Sequence, residues 1–157
     1  MKKAILILTL LSICVVAGNA SQADDKVYPG LNCVELNDTT PEITYQYAGH
    51  AYNASSGTNV YACPVVTEDL SSSQVSSWNV TAYREPSSTA AWDIVLWNTQ
   101  RSGWNGYGVS VTVPSATGTY HTISGPAIPS QGANRVMWIE TIMPAYGHLV
   151  SYMVNEI

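Results

Sequence analysis

Phenylalanine is absent from the 157-residue chain, although tyrosine occurs ten times and tryptophan five times. Its large rings are therefore almost all ones with a polar edge, suited to stacking at a wet surface as well as to packing in a core. Cations are nearly as scarce: beyond Lys2 and Lys3 only Lys26, Arg84, Arg101 and Arg135 remain. Four cations against eleven acidic side chains leave the chain after residue 20 with a net charge near −7. So few positive groups do not neutralise a row of phosphates, which excludes nucleic acid and anionic membrane surfaces as partners. Also missing are a Gly-x-Ser-x-Gly elbow, a His-Glu-x-x-His helix and a closely spaced Asp/Asn series. Those are the spacings by which serine hydrolases, zinc peptidases and calcium loops hold their groups. No catalytic residues, cofactor or metal are expected.

Long hydrophobic runs are missing too, except for one at residues 4–16 that follows Lys2 and Lys3. Its 13 or so residues fall short of the roughly 20 that span a bilayer, so no transmembrane segment is expected. Ala17-Gly18-Asn19-Ala20 supplies small residues at −3 and −1 of a cleavage site. Positive start, apolar run and small-residue exit together make residues 1–20 a signal peptide, cut after Ala20 or, less simply, after Ala23. Cys14 lies inside the apolar run behind a bulky Ile13, which is not a lipobox. The expected location is therefore secreted or periplasmic.

Cysteine is rare as well, and only Cys33 and Cys63 survive that cleavage. In an oxidising compartment two thiols of a small exported domain pair, so one disulfide is expected. About 137 residues remain, enough for a single domain with its own core.

The rest of the chain reads as strands and turns without a convincing helix. Residues 21–29 look like a flexible leader, with Asp24 beside Asp25 and little to bury. Strand candidates lie at 43–47, 60–66, 77–83, 92–97, 107–113, 119–123, 135–142 and 149–156. Pro64 marks its strand as an edge or a bulge. At 77–83, Trp78, Val80 and Ala82 alternate with Asn79, Thr81 and Tyr83. At 107–113, Val109, Val111 and Val113 turn inward and Ser110 and Thr112 outward. Residues 92–97 are apolar on both faces, as in a strand covered on two sides. Gly-, Pro- and Ser-rich clusters separate the strands, including 103–108, 129–132 and 144–147. About eight strands at this spacing predict an all-β, antiparallel β-sandwich over residues 30–157, jelly-roll or immunoglobulin-like.

Tyr28-Pro29-Gly30, Cys33, Gly49, Asn53, Ser55 and Ala62-Cys63-Pro64-Val65-Val66 form a pattern, as do Ile142-Met143-Pro144 and Val150-Ser151-Tyr152 near the end. In these residues the chain resembles a group of small secreted bacterial proteins. The resemblance implies a secreted β-sandwich and no activity, so it carries over no catalytic residues. Members of that group have a further cysteine pair; here the stretches around residues 93–97 and 138–142 contain none.

Candidate functional residues are few. Trp97, Trp104 and Tyr107 are the aromatics best placed to stack on a sugar or a peptide, the last two within a Gly-rich turn. His50, His121 and His148 invite a hydrolase reading, but His50 precedes a strand and His148 sits in a turn, where solvated imidazoles are usual. The expectation is a non-catalytic binding or extracellular structural module whose partner is a glycan or another extracellular protein. The first alternative is a glycan-binding module using exposed Trp and Tyr, and the second is a small secreted hydrolase.

Overall fold

Along Trp78 to Arg84 every second side chain is buried: Trp78, Val80, Ala82 and Arg84 are fully enclosed, while Asn79, Thr81 and Tyr83 turn outward. The period-two pattern thus becomes a strand with one face in a core and one in water. The computed structural model describes residues 24–36, 49–66, 75–88, 90–100, 106–129 and 135–156. The expected strand at 43–47 and most of the loop before β5 lie outside them.

Ten strands are present among the described residues: β1 (Asp24–Pro29), β2 (Val34–Glu35), β3 (Ala51–Tyr52), β4 (Asn59–Val65), β5 (Val75–Arg84), β6 (Trp92–Gln100), β7 (Gly106–Val113), β8 (Tyr120–Gly125), β9 (Arg135–Met143) and β10 (Gly147–Glu156). They form two antiparallel sheets. The first runs β1-β10-β5-β8, with β3 also paired to β10, and the second runs β2-β4-β9-β6-β7. Tyr61, Ile94, Leu96 and Ile139 of the second sheet share one core with Trp78, Leu149 and Tyr152 of the first. The molecule is an antiparallel β-sandwich, as the alternation predicted.

Three devices hold the crossing from one layer to the other. Gly30 opens a single 3-10 turn between β1 and β2, carrying the chain from one sheet to the other. A Cβ there would overlap the backbone carbonyl of Leu149, so only glycine permits the approach. Immediately beyond, Cys33 is bonded to Cys63 of β4, and both are fully buried. Third, Tyr28 stacks on Tyr152 with centroids 4.9 Å apart. The Tyr152 hydroxyl donates to the Pro64 carbonyl at 2.6 Å, and the Tyr28 hydroxyl donates to the Val66 carbonyl at 2.9 Å. Burial raises the Tyr152 pKa well above that of a free phenol, so it stays a donor.

The loops are held by buried polar groups. Asn53, fully enclosed, donates to the carbonyls of Gly57 and Met143, both at 2.9 Å, and accepts the Ser55 N–H at 3.0 Å. Arg84 points into the end of the sandwich, donating to the carbonyls of Pro114 (2.8 Å) and Ser88 (2.9 Å), with Trp92 5.8 Å away. It thereby fastens the connections that follow β5 and β7.

Two expectations need correction. Residues 24–29, expected to be leader, form β1, paired with β10 from Asp24↔Glu156 to Pro29↔Ser151. An edge strand needs a backbone partner and one anchoring ring rather than a hydrophobic run, and Tyr28 supplies the ring. In β6, Trp92, Ile94 and Leu96 do enter the core, but no described element covers the opposite face, where Asp93 is exposed and Val95 and Trp97 are half-buried. Pro64 lies on β4 just past the two-residue β2, where that strand has lost its neighbour and no amide is needed.

Candidate functional site

This face of the second sheet, which no described element covers, carries an organised set of outward side chains. The register aligns Pro64 of β4 with Trp138 of β9, Trp138 with Trp97 of β6, and Trp97 with Gly108 of β7. With strands about 4.8 Å apart, this row crosses four strands in roughly 14 Å. The indoles of Trp97 and Trp138 have centroids 6.2 Å apart and planes within 20° of parallel.

The orientation of Trp97 follows from its two neighbours. On the β7 side its six-membered ring lies over Gly108, so closely that an added Cβ would sit 2.8 Å from ring carbons. On the β9 side its indole N–H donates to Oε2 of Glu140 at 2.7 Å. The ring is therefore laid across three strands instead of standing away from the sheet, and glycine at 108 makes this possible.

Carboxylates edge the row. Glu140 is two residues from Trp138 on β9 and aligned with Val95. Asp93 follows further along β6, accepting the Thr112 hydroxyl at 2.6 Å. Each carboxylate holds one donor here and keeps lone pairs for others. Beside Trp138, an apolar cleft of about 290 Å³ lies among Val34, Ala62, Pro64 and Val136. Val34, Val136 and Ile142 expose apolar surface around the face. Two near-parallel indoles edged by acceptors offer flat apolar area to a C–H-rich ring and hydrogen bonds to its hydroxyls.

Of the aromatics singled out in the sequence, Trp97 belongs to this row. Tyr107 lies on β7 but is aligned with the buried Asn98, on the other side of the sheet from Trp97, and is exposed at the strand's start. Trp104 lies outside the described residues. Sequence reasoning missed Trp138 and Glu140, whose alternation with the buried Met137, Ile139 and Thr141 was the available signal.

The histidines do not converge on a nucleophile. His121 faces the carbonyl of Ala116 at 3.0 Å. His148, expected in a solvated turn, is instead the second residue of β10 and 4% exposed, because the turn closes at Tyr146 with φ +59°. Its Nε2 meets Oε1 of Glu85 at 3.2 Å. Desolvation lowers the His148 pKa, more than the hydrogen bond to Glu85 raises it. No serine hydroxyl is hydrogen-bonded to a histidine among the described residues.

No protein-family model matches the chain, and no curated protein matches it in sequence. Solved structures do match. A Podospora anserina GH26-CBM35 β-(1,4)-mannanase superposes with a TM-score of 0.54 at 10% identity, over 85% of this chain and 28% of its own. This chain therefore spans less than a third of that enzyme. A family 6 carbohydrate-binding module superposes with a TM-score of 0.50 at 14% identity, over 84% of this chain and 94% of its own. At such identities the likeness defines the fold: a β-sandwich of the architecture those structures share.

Proposed function

We propose that this chain is a secreted, non-catalytic glycan-binding module whose contact surface is the outward face of the second sheet. Of the readings drawn from the sequence, the glycan alternative is better supported than an unspecified binding or structural role. The observation that carries it is the Trp97–Trp138 pair, near-parallel on a sheet face that no described element covers, with one indole laid over Gly108 and held by Glu140. A ring pair that served packing alone would be expected beneath another layer. The likeness in fold to a carbohydrate-binding module adds support. Export agrees with the Cys33–Cys63 bond and with the signal-like residues 1–20.

The test is a glycan microarray followed by affinity electrophoresis in gels containing each polysaccharide that scores. Wild-type protein should be retarded, and Trp97→Ala and Trp138→Ala should be retarded markedly less. Equal retardation of all three proteins, or none for the wild type, would overturn this assignment. Mass spectrometry of the exported protein should find Ser21 or Asp24 as its first residue.

A further inference from the structure

On the opposite side of the molecule, the outward face of the first sheet carries a second row of rings. The register aligns Tyr120 of β8 with Tyr83 of β5, Tyr83 with His148 of β10, and His148 with Tyr52 of β3. Centroids are 4.9 Å apart for Tyr83–Tyr120, 5.3 Å for Tyr83–His148 and 4.4 Å for Tyr52–His148. Four strands each give one ring to a single line across the sheet.

Burial is graded along that line. Tyr52 and His148 are nearly enclosed, and His50 meets His148 edge-on at 6.0 Å. At the other end Tyr120 is 61% exposed, on an edge strand. A line of rings serving only as packing would have little reason to end in an open phenol. The buried His148 Nδ1 also finds no partner among the described residues.

The chemistry beside the open end is neutral. Thr81 and Thr122, the next outward register pair, place their hydroxyls 3.2 Å apart, and Asn79 and Ser124 form the pair after that. No lysine or arginine is outward on this part of β5 or β8, so phosphates have no counter-charge there. Hydroxyls and an amide beside two adjoining phenols, tilted 41° to one another, match the hydroxyls and C–H faces of an uncharged sugar.

We propose that this face is a second glycan-contacting surface, built on Tyr83 and Tyr120 with Thr81 and Thr122, so that one copy of the chain bridges two chains of a neutral glycan. The proposal rests on the reading of the second sheet for its class of ligand, but on none of the same residues. Two sheets packed about 10 Å apart turn their outer faces in opposite directions. A glycan chain on one face therefore leaves the other free to take a second.

The experiment uses mannohexaose, cellohexaose and xylohexaose for affinity, and galactomannan, hydroxyethylcellulose and arabinoxylan, soluble substituted polymers with the same β-(1,4) backbones, for light scattering. Wild type, Trp97→Ala, Tyr120→Ala and the double variant are compared after circular dichroism has shown the wild-type fold in each. The expected result is residual binding in Trp97→Ala that the added Tyr120→Ala weakens about tenfold. Wild type should also raise the scattering of the polymer it binds, and neither single variant should. If Trp97→Ala removes all binding while Tyr120→Ala binds and scatters as wild type, the second face is refuted and the first stands. If Tyr120→Ala alone removes binding, this face stands and the assignment to Trp97 falls. Absence of wild-type binding to every probe overturns both.

Discussion

The Cys33–Cys63 bond closes a loop with a sequence separation of 30 residues, and reducing it returns that freedom to the unfolded chain. In the chain-entropy treatment such a loop is worth about 3.6 kcal/mol at 25 °C. Both sulfurs are fully buried, so reduction leaves two small, largely apolar thiols in the core and costs little beyond the lost tether. For a domain of roughly 130 residues the unfolding entropy is about 0.27 kcal/mol/K, which converts the loss to a fall of about 13 °C in melting temperature. The assay is thermal unfolding followed by circular dichroism, with and without reductant, the thiol count confirmed by mass. A fall of less than about 4 °C would refute the reasoning, because β2 and the crossing turn would then be held without the bond.

Asn53→Ala removes two donated hydrogen bonds from a fully buried site and takes the buried amide donor from the Met143 carbonyl. It should cost about 2–4 kcal/mol, seen as a lower urea midpoint at unchanged slope. Gly108→Val forces the Trp97 ring off the sheet; glycan affinity should fall about tenfold while the fold persists. For pH, the sign follows from the lowered pKa of His148, which faces Glu85, His50, Tyr52 and Tyr83. A histidine more easily deprotonated when folded contributes stability that is present above pH 6.5 and lost as pH falls through the folded pKa. His50, also lowered by burial, acts in the same sense. Melting temperature should therefore be level above about pH 7 and fall on acidification below pH 6.5, less steeply in His148→Gln. A rise in stability across that window would contradict the burial.

Much of the architecture was legible in local pattern, because period-two alternation such as Trp78, Val80 and Ala82 reports directly on a half-buried strand. What depends on partners distant in sequence was not. The leader and β1 look alike in composition, and only pairing with β10, more than a hundred residues on, separates them. The apolar outward positions of β6 were read as cover by another layer. An uncovered ligand face leaves the same signature, since both call for apolar side chains on two sides of a strand. Trp97 could be nominated from its residue type, but its neighbour Trp138 is 41 positions away, and register between β6 and β9 is not written locally. His148 was assigned to a turn because Pro144 to Gly147 reads as one, and it does form one; the strand simply starts at Gly147.

The five tryptophans allow the glycan face to be located residue by residue, because their indole N–H groups give separate signals in a ¹H–¹⁵N spectrum. Titration with the hexasaccharide that binds best should shift the signals of Trp97 and Trp138. It should leave unmoved the buried Trp78, which donates to the Pro126 carbonyl at 3.0 Å, and the buried Trp92. A saturable titration in which Trp97 and Trp138 stay still would contradict the account and move the glycan site elsewhere on the sandwich.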